Sequence, residues 1–288
     1  MDALVLHTKT AEQLLRAGNN PAQAMAIIAA VGSGKRTLAV QLAAEILHIE
    51  PDDLTNYPYF LLLNDADQTI QIEHIRELQH FTQLKTTGKG TIRRAIIVLA
   101  AEKMTTEAQN AFLKLLEEPP SDTIVILTVE SERALLPTIM SRVQALAIQT
   151  PDEQQIRAHF SAQYPEDAVN KAYFLSGGRP GLMHALLAEE QNHPLITAVN
   201  QAKDILQKPV FERLAMVDAL SKKKDEATYV LAALQQIAET GLAQAAKTAA
   251  PAKIKQWHNI IAAAYAARTA LARNANAKLV FTNLMLAL

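Results

Sequence analysis

Residues 26–37 read AIIAAVGSGKRT, and this stretch predicts the fold of the first half of the chain. It is close to the pattern G-x-x-x-x-G-K-[ST], in which backbone N–H groups surround phosphates, a lysine reaches the terminal phosphates and a hydroxyl binds Mg²⁺. Gly34 and Lys35 fit this pattern, whereas Ala29 replaces the first glycine and Arg36 replaces the hydroxyl. An apolar run precedes the loop and a helical pattern follows it, which is the context that a phosphate-binding loop requires. The stretch therefore predicts a P-loop fold with altered metal chemistry.

The loop also provides the candidate cofactor-binding residues. They are Gly32, Gly34, Lys35, Arg36 and Thr37. A helix N-terminus at this point favours anions. In the alternative, the glycines only make a tight turn and Lys35 is solvated, so ATP or ADP binding is left open and no cofactor is required.

An active P-loop ATPase needs acids at the end of a neighbouring strand, where they hold Mg²⁺ and orient the attacking water. The corresponding strand here is RAIIVLAAEKM, residues 94–104, and its end carries Leu99 and Ala100. Glu102 is the first carboxylate, and it lies in the predicted turn beyond the strand. Both acid positions are therefore unfilled, and we expect the chain not to hydrolyse ATP by itself.

The first half of the chain alternates β-like runs with helical patterns, which predicts a parallel sheet covered by helices. Helices are predicted in 35–49, 72–84 and 104–118, with Thr105 or Thr106 as the cap of the third. After residue 150, alanine- and leucine-rich helical patterns predominate. We predict an α/β P-loop domain at 1–149, a helical lid domain at 150–200 and a helical collar domain at 201–288. The predicted strands are Met25–Ala30, Tyr59–Leu63, Ala95–Leu99, Thr123–Val129 and Ala145–Ile148.

Composition excludes several functional classes. A hydrophobic share of 49% and a charged share of 20% are those of a soluble globular protein. The absence of cysteine excludes disulfides, thiol catalysis and Cys-ligated zinc, and no other metal site is predicted. No apolar run is long enough to span a membrane, and the first residues lack the order of a signal peptide. We therefore expect a cytoplasmic protein without a membrane partner.

A longer stretch, AEKMTTEAQNAFLKLLEEPPSDTIVILTVESERALLPTIMSRVQAL at 101–146, resembles the signature of bacterial clamp-loader AAA+ subunits. Within that family it is most similar to the delta-prime subunits of the DNA polymerase III clamp loader. The resemblance extends to NYPYFLLL at 56–63, to LSGGRPGLMHAL at 175–186 and to the last residues, 268–288. It is weaker between about 190 and 260.

The resemblance implies that Arg142 is an arginine finger supplied to the ATP of a neighbouring subunit. The family has a Ser-Arg-Cys motif at this place, and here Ser141 and Arg142 match it while Val143 replaces the cysteine. A guanidinium is planar and permanently charged, which suits a γ-phosphate. In the alternative, Arg142 caps the preceding helix or pairs with a surface acid.

Other positions are assigned by the same resemblance. Thr128 occupies the sensor-1 position, and Arg179 is a turn residue rather than a second sensor. The cysteine-bound zinc module common in the family is absent, so no zinc is expected.

The resulting hypothesis is a non-hydrolysing subunit that assembles with gamma/tau and delta subunits. Through that complex it would contact the sliding clamp and primer–template DNA in replication. One alternative is an ATP-hydrolysing gamma/tau-type motor that uses Glu102 as its acid. The other is a nucleotide-binding AAA+ adaptor outside replication.

Overall fold

The computed structural model describes residues 5–64, 68–88, 90–188, 194–222, 224–273 and 275–288. It divides into two compact units, residues 1–151 and 152–288. The first unit ends two residues beyond the predicted boundary at 149. The predicted division of the helical part at residue 200 falls within a helix, Pro194–Gln207, and remains a prediction.

A five-stranded parallel sheet forms the centre of the first unit, in the order β2-β3-β4-β1-β5. All five predicted strands are present, with ends that differ from the prediction by no more than two residues. The strands are β1 (Ala24–Ile28), β2 (Phe60–Leu63), β3 (Arg94–Val98), β4 (Thr123–Val129) and β5 (Gln144–Ala147).

Helices cover both faces of this sheet, because β1, β3 and β4 bury side chains of alternating direction on the two sides. Met25 and Ile27 pack on one face with Leu42 of the helix that follows the loop. Ala26 packs on the other face, in the cluster that contains Phe112. The α/β P-loop fold class is thus confirmed. The helices of this unit are α1 (Thr8–Asn19), α2 (Lys35–Leu47), α3 (Ile72–Gln83), α4 (Thr106–Glu117) and α5 (Pro137–Met140).

The sequence patterns predicted α2, α3 and α4 correctly, but α1 was not predicted. Thr105 caps α4, since its side chain accepts a hydrogen bond from the N–H of Ala108. Short 3-10 helices occupy 51–56, 101–103 and 132–134.

The second unit is helical throughout its described residues. The longest helices, α12 and α13, pack against each other around a core that includes Leu234, Ile260 and Phe281. The helices are α6 (Glu153–Ser161), α7 (Glu166–Ser176), α8 (Pro180–Leu187), α9 (Pro194–Gln207), α10 (Val210–Ala215), α11 (Val217–Lys222), α12 (Lys224–Lys247), α13 (Pro251–Ala272) and α14 (Ala277–Ala287).

The backbone conformation at the end of α7 favours a glycine. Gly177 has φ +62, and a Cβ at this position would lie 1.7 Å from Nε2 of Gln236. The positive φ favours glycine, and a Cβ would also have to displace the amide end of the Gln236 side chain in α12.

Candidate functional site

The loop after β1 lies where the strand order reverses. β1 is paired with β4 on one side and β5 on the other, so the loops after β1 and β4 meet at the carboxyl edge of the sheet. In open α/β sheets this is the usual place for a ligand. Gly32 and Gly34 have φ of 83 and 88, a conformation that residues with a Cβ adopt only under strain, and Gly34 leads into α2.

Lys35 is bound by its own loop. Its Nζ donates hydrogen bonds to the carbonyl oxygens of Ala29 at 2.5 Å and Ala30 at 3.1 Å. These bonds use two of the three N–H groups of the ammonium. Arg36 and Thr37 follow in the first turn of α2, and both are exposed.

The end of β3, where an ATPase carries its acids, is apolar here. Leu99 is buried, and Ala100 takes a left-handed conformation with φ 46. The N–H of Ala100 donates to Oγ1 of Thr128 at 2.9 Å, and Thr128 is itself buried at the end of β4. The side chain of Thr128 is therefore engaged in holding the turn that follows β3. Glu102 lies in the 3-10 helix that follows and is half-buried.

Arg142 lies at the opposite edge of the sheet. It precedes β5, and Gln144 of that strand is opposite Met25 near the start of β1, whereas the loop follows Ile28 at the end of β1. The strand between Met25 and Ile28 alone spans roughly 10 Å. Arg142 and the chain's own loop are thus on different edges, and the structure does not bring these two predicted site residues together.

The contacts of Arg142 are local. Its Nη1 donates to the carbonyl oxygen of Thr138 at 3.0 Å and to Oγ of Ser141 at 3.3 Å, at the C-terminal end of α5. Its Nη2 donates to Oε1 of Glu117 at 3.1 Å. Arg142 thus makes both contacts of the alternative interpretation, in which it caps the preceding helix or pairs with a surface acid. Its role in trans stays a prediction. The side chain of Arg142 remains 37% exposed.

The position of α5 depends on a residue that the sequence did not indicate. Gln109 in α4 is buried, its Oε1 accepts from the N–H of Leu136 at 2.9 Å, and its Nε2 donates to the carbonyl of Met104 at 3.3 Å. This amide fixes the start of α5 to α4, and hence the segment that carries Arg142. A polar residue on a predicted buried helix face was the available signal.

A charged cluster lies at the same amino edge, at the starts of β3 and β4. Asp122 accepts hydrogen bonds from Thr86 and Thr123 and lies 3.6 Å from Nη2 of Arg93 and 4.0 Å from Nη1 of the buried Arg94. Burial alone would raise the pKa of Asp122. The hydrogen bonds and the two arginine charges outweigh that effect, and the pKa lies below its usual value. The cluster ties both strand starts to the loop after α3.

Arg179 is the N-cap residue of α8, and its Nη2 donates to Oε1 of Gln236. This hydrogen bond joins α8 to α12 within the second unit.

Within the described residues, no group of three or more histidine, aspartate or glutamate side chains is arranged to hold a metal ion. None of the helices in the described ranges is both long and apolar enough to cross a membrane.

Comparison with known proteins identifies the class. The model of the family described as DNA polymerase III, delta subunit, matches residues 6–152, and the chain belongs to that family. The DNA polymerase III subunit delta' of Pseudomonas aeruginosa is 29% identical over 208 residues, 66% of this chain and 63% of that protein. The subunit delta' of Escherichia coli is 31% identical over 130 residues, 44% of this chain and 38% of that protein. The chain is thus delta-prime-like, and it spans less than two thirds of the length of these relatives.

A solved structure is also similar. The match to a DNA polymerase III gamma subunit-related protein from Thermotoga maritima covers 96% of this chain and 97% of that protein's chain. The sequence identity is 20% and the TM-score is 0.49. We infer nothing further from so distant a likeness.

Proposed function

We propose that this protein is a delta-prime-like subunit of a bacterial DNA polymerase III clamp loader that provides Arg142 to ATP held by a neighbouring subunit. The observation that carries the proposal is the placement of Arg142 on the amino edge of the sheet. It is half-exposed there and separated by the length of the sheet from the loop of its own chain. An arginine so placed cannot reach a nucleotide in its own loop, and it can reach one only across an interface.

The carboxyl edge supports the second part of the proposal, which is that the chain does not hydrolyse ATP. The hydroxyl that would bind Mg²⁺ is replaced by Arg36, and the strand end carries Leu99 and Ala100 in place of acids. Phosphoryl transfer depends on metal and charge compensation at these places. The subunit would therefore act through contacts, with gamma/tau and delta subunits as partners and the sliding clamp and primed DNA as the targets of the complex. Such a protein works in the cytoplasm.

The experiment is ATP hydrolysis by a reconstituted complex that carries Arg142→Ala in this subunit. An arginine finger commonly contributes at least about 10³-fold to turnover, and we expect a loss of that order at the adjoining site, measured as clamp- and DNA-stimulated phosphate release in a single turnover. Arg76→Ala is the matched control, because Arg76 is an exposed arginine of the same unit that pairs with Glu73. Equal turnover for the wild-type and Arg142→Ala complexes would refute the role in trans.

The second part is tested on the purified chain. We expect no steady ATP turnover, with or without Lys35→Ala. Turnover that Lys35→Ala abolishes would instead favour a motor that uses Glu102.

A further inference from the structure

Arg142 is paired with a carboxylate of its own chain, that of Glu117. The Nη2–Oε1 distance to Glu117 is 3.1 Å, and the two side chains are 37% and 52% exposed. Both groups of the pair are therefore accessible to an incoming partner, and the pair can be opened without disturbing the core.

A guanidinium has five N–H donors, so different nitrogens of Arg142 can bind different partners at the same time. Nη1 is used at the end of α5, where it donates to Thr138 and Ser141. A phosphate is bound best by a fork of two parallel N–H groups. With both N–H groups of Nη1 engaged at the end of α5, the fork that remains consists of Nε and Nη2, and the carboxylate of Glu117 is hydrogen-bonded to Nη2.

We propose that Glu117 masks Arg142, so that the γ-phosphate of a neighbouring subunit's ATP must displace this carboxylate while the cap on α5 is kept. The inference rests on the proposed function and adds a positioning residue to it. The position of Glu117 is fixed because this residue ends α4, the helix that Gln109 joins to the start of α5. The acid and the arginine are thus carried by two elements whose relative position is set by a buried amide.

The size of the effect follows from the exposure of the pair. A half-exposed ion pair shifts an equilibrium by only about two- to fivefold, and salt weakens it further. Glu117 is therefore a modest barrier that a phosphate, with more charge than a carboxylate, can overcome.

The first test uses the isolated full chain and the arginine reagent phenylglyoxal, with the modification of Arg142 followed by peptide mass. We expect Glu117→Gln to raise the rate at Arg142 by about two- to fivefold and high salt to narrow the difference from wild type. Glu118→Gln is the matched control, because Glu118 is an exposed carboxylate one position further along, and it should leave the rate unchanged. An unchanged rate in Glu117→Gln at unchanged thermal midpoint would overturn the inference.

The second test uses the reconstituted complex and separates this inference from the proposed function. We expect Glu117→Gln to raise kcat/KM for ATP by about two- to fivefold, since the competing carboxylate is gone. A fall in kcat/KM would show that Glu117 supports the finger, which overturns the masking role. If Arg142→Ala leaves hydrolysis unchanged while Glu117→Gln still raises the phenylglyoxal rate, the proposed function fails but the pairing stands.

Discussion

The polar side chains at the two edges of the central sheet differ in their surroundings. At the carboxyl edge the polar side chains contact the chain's own backbone, as Lys35 binds the carbonyls of Ala29 and Ala30 and Thr128 binds the N–H of Ala100. At the amino edge, Arg142 is presented at the surface by α5 and by the buried Gln109. The two edges thus differ in what their polar side chains contact, and the proposed role in trans concerns only the amino edge.

The largest effect on stability is expected from the amide that sets the amino edge. Gln109→Leu leaves the N–H of Leu136 and the buried carbonyl of Met104 without their side-chain partner, and we expect the free energy of unfolding to fall by about 2–3 kcal/mol. Urea unfolding of the full chain measures it. Asn110→Leu, on the exposed side of the same helix, is the control. If Gln109→Leu lowers the free energy of unfolding no more than the control does, Gln109 does not fix the position of Arg142.

The charged cluster at the same edge predicts a dependence on pH. Because the folded pKa of Asp122 is lowered, its stabilising effect is present above the unfolded value and is lost as the pH falls through the folded value. We expect Asp122→Asn to lower stability at pH 7 by about 1–2 kcal/mol and the difference from wild type to shrink below about pH 4. Thermal unfolding between pH 2 and 7, with the exposed Asp53→Asn as reference, measures this. A difference that is constant over that range would contradict the cited cause.

The carboxyl edge predicts a smaller loss. Lys35→Met removes two hydrogen bonds to loop carbonyls, which is expected to cost about 1 kcal/mol of unfolding free energy. In an active P-loop the same change would chiefly abolish nucleotide binding. Chemical unfolding is to be compared with Lys114→Met, a lysine on the exposed side of α4. No loss of stability would mean that the loop does not depend on its own lysine.

The smallest effect is a gain. Ala100 has φ 46, and Ala100→Gly relieves a left-handed alanine, for which we expect about 0.5–1 kcal/mol of added stability. Ala101→Gly should act in the opposite direction, since Ala101 is buried in a 3-10 helix. Differential scanning calorimetry of both variants tests the sign. A loss at position 100 would show that the turn is not strained.

Much of this fold was predictable, because its strands and covering helices leave periodic apolar patterns. Thr105 was also a predictable cap, since its signal lies within four residues of sequence. The missed features depend on residues far apart in the chain. Gln109 has its role only because it contacts Leu136. No local sequence signal predicts that Lys35 binds the carbonyls of its own loop. The α1 helix was missed because it begins within polar residues and its N-cap is a histidine, His7, which is not among the usual capping residues.

The packing of Gly177 against Gln236 has a consequence for reading related sequences. A GGRPG segment is easily taken as the trace of a nucleotide sensor, and its retention as a sign that nucleotide is still sensed. In this chain the first of its glycines has a positive φ at the end of α7 and lies against the amide end of Gln236, so backbone conformation and packing account for it. The presence of such a segment therefore does not by itself identify a nucleotide-sensing residue.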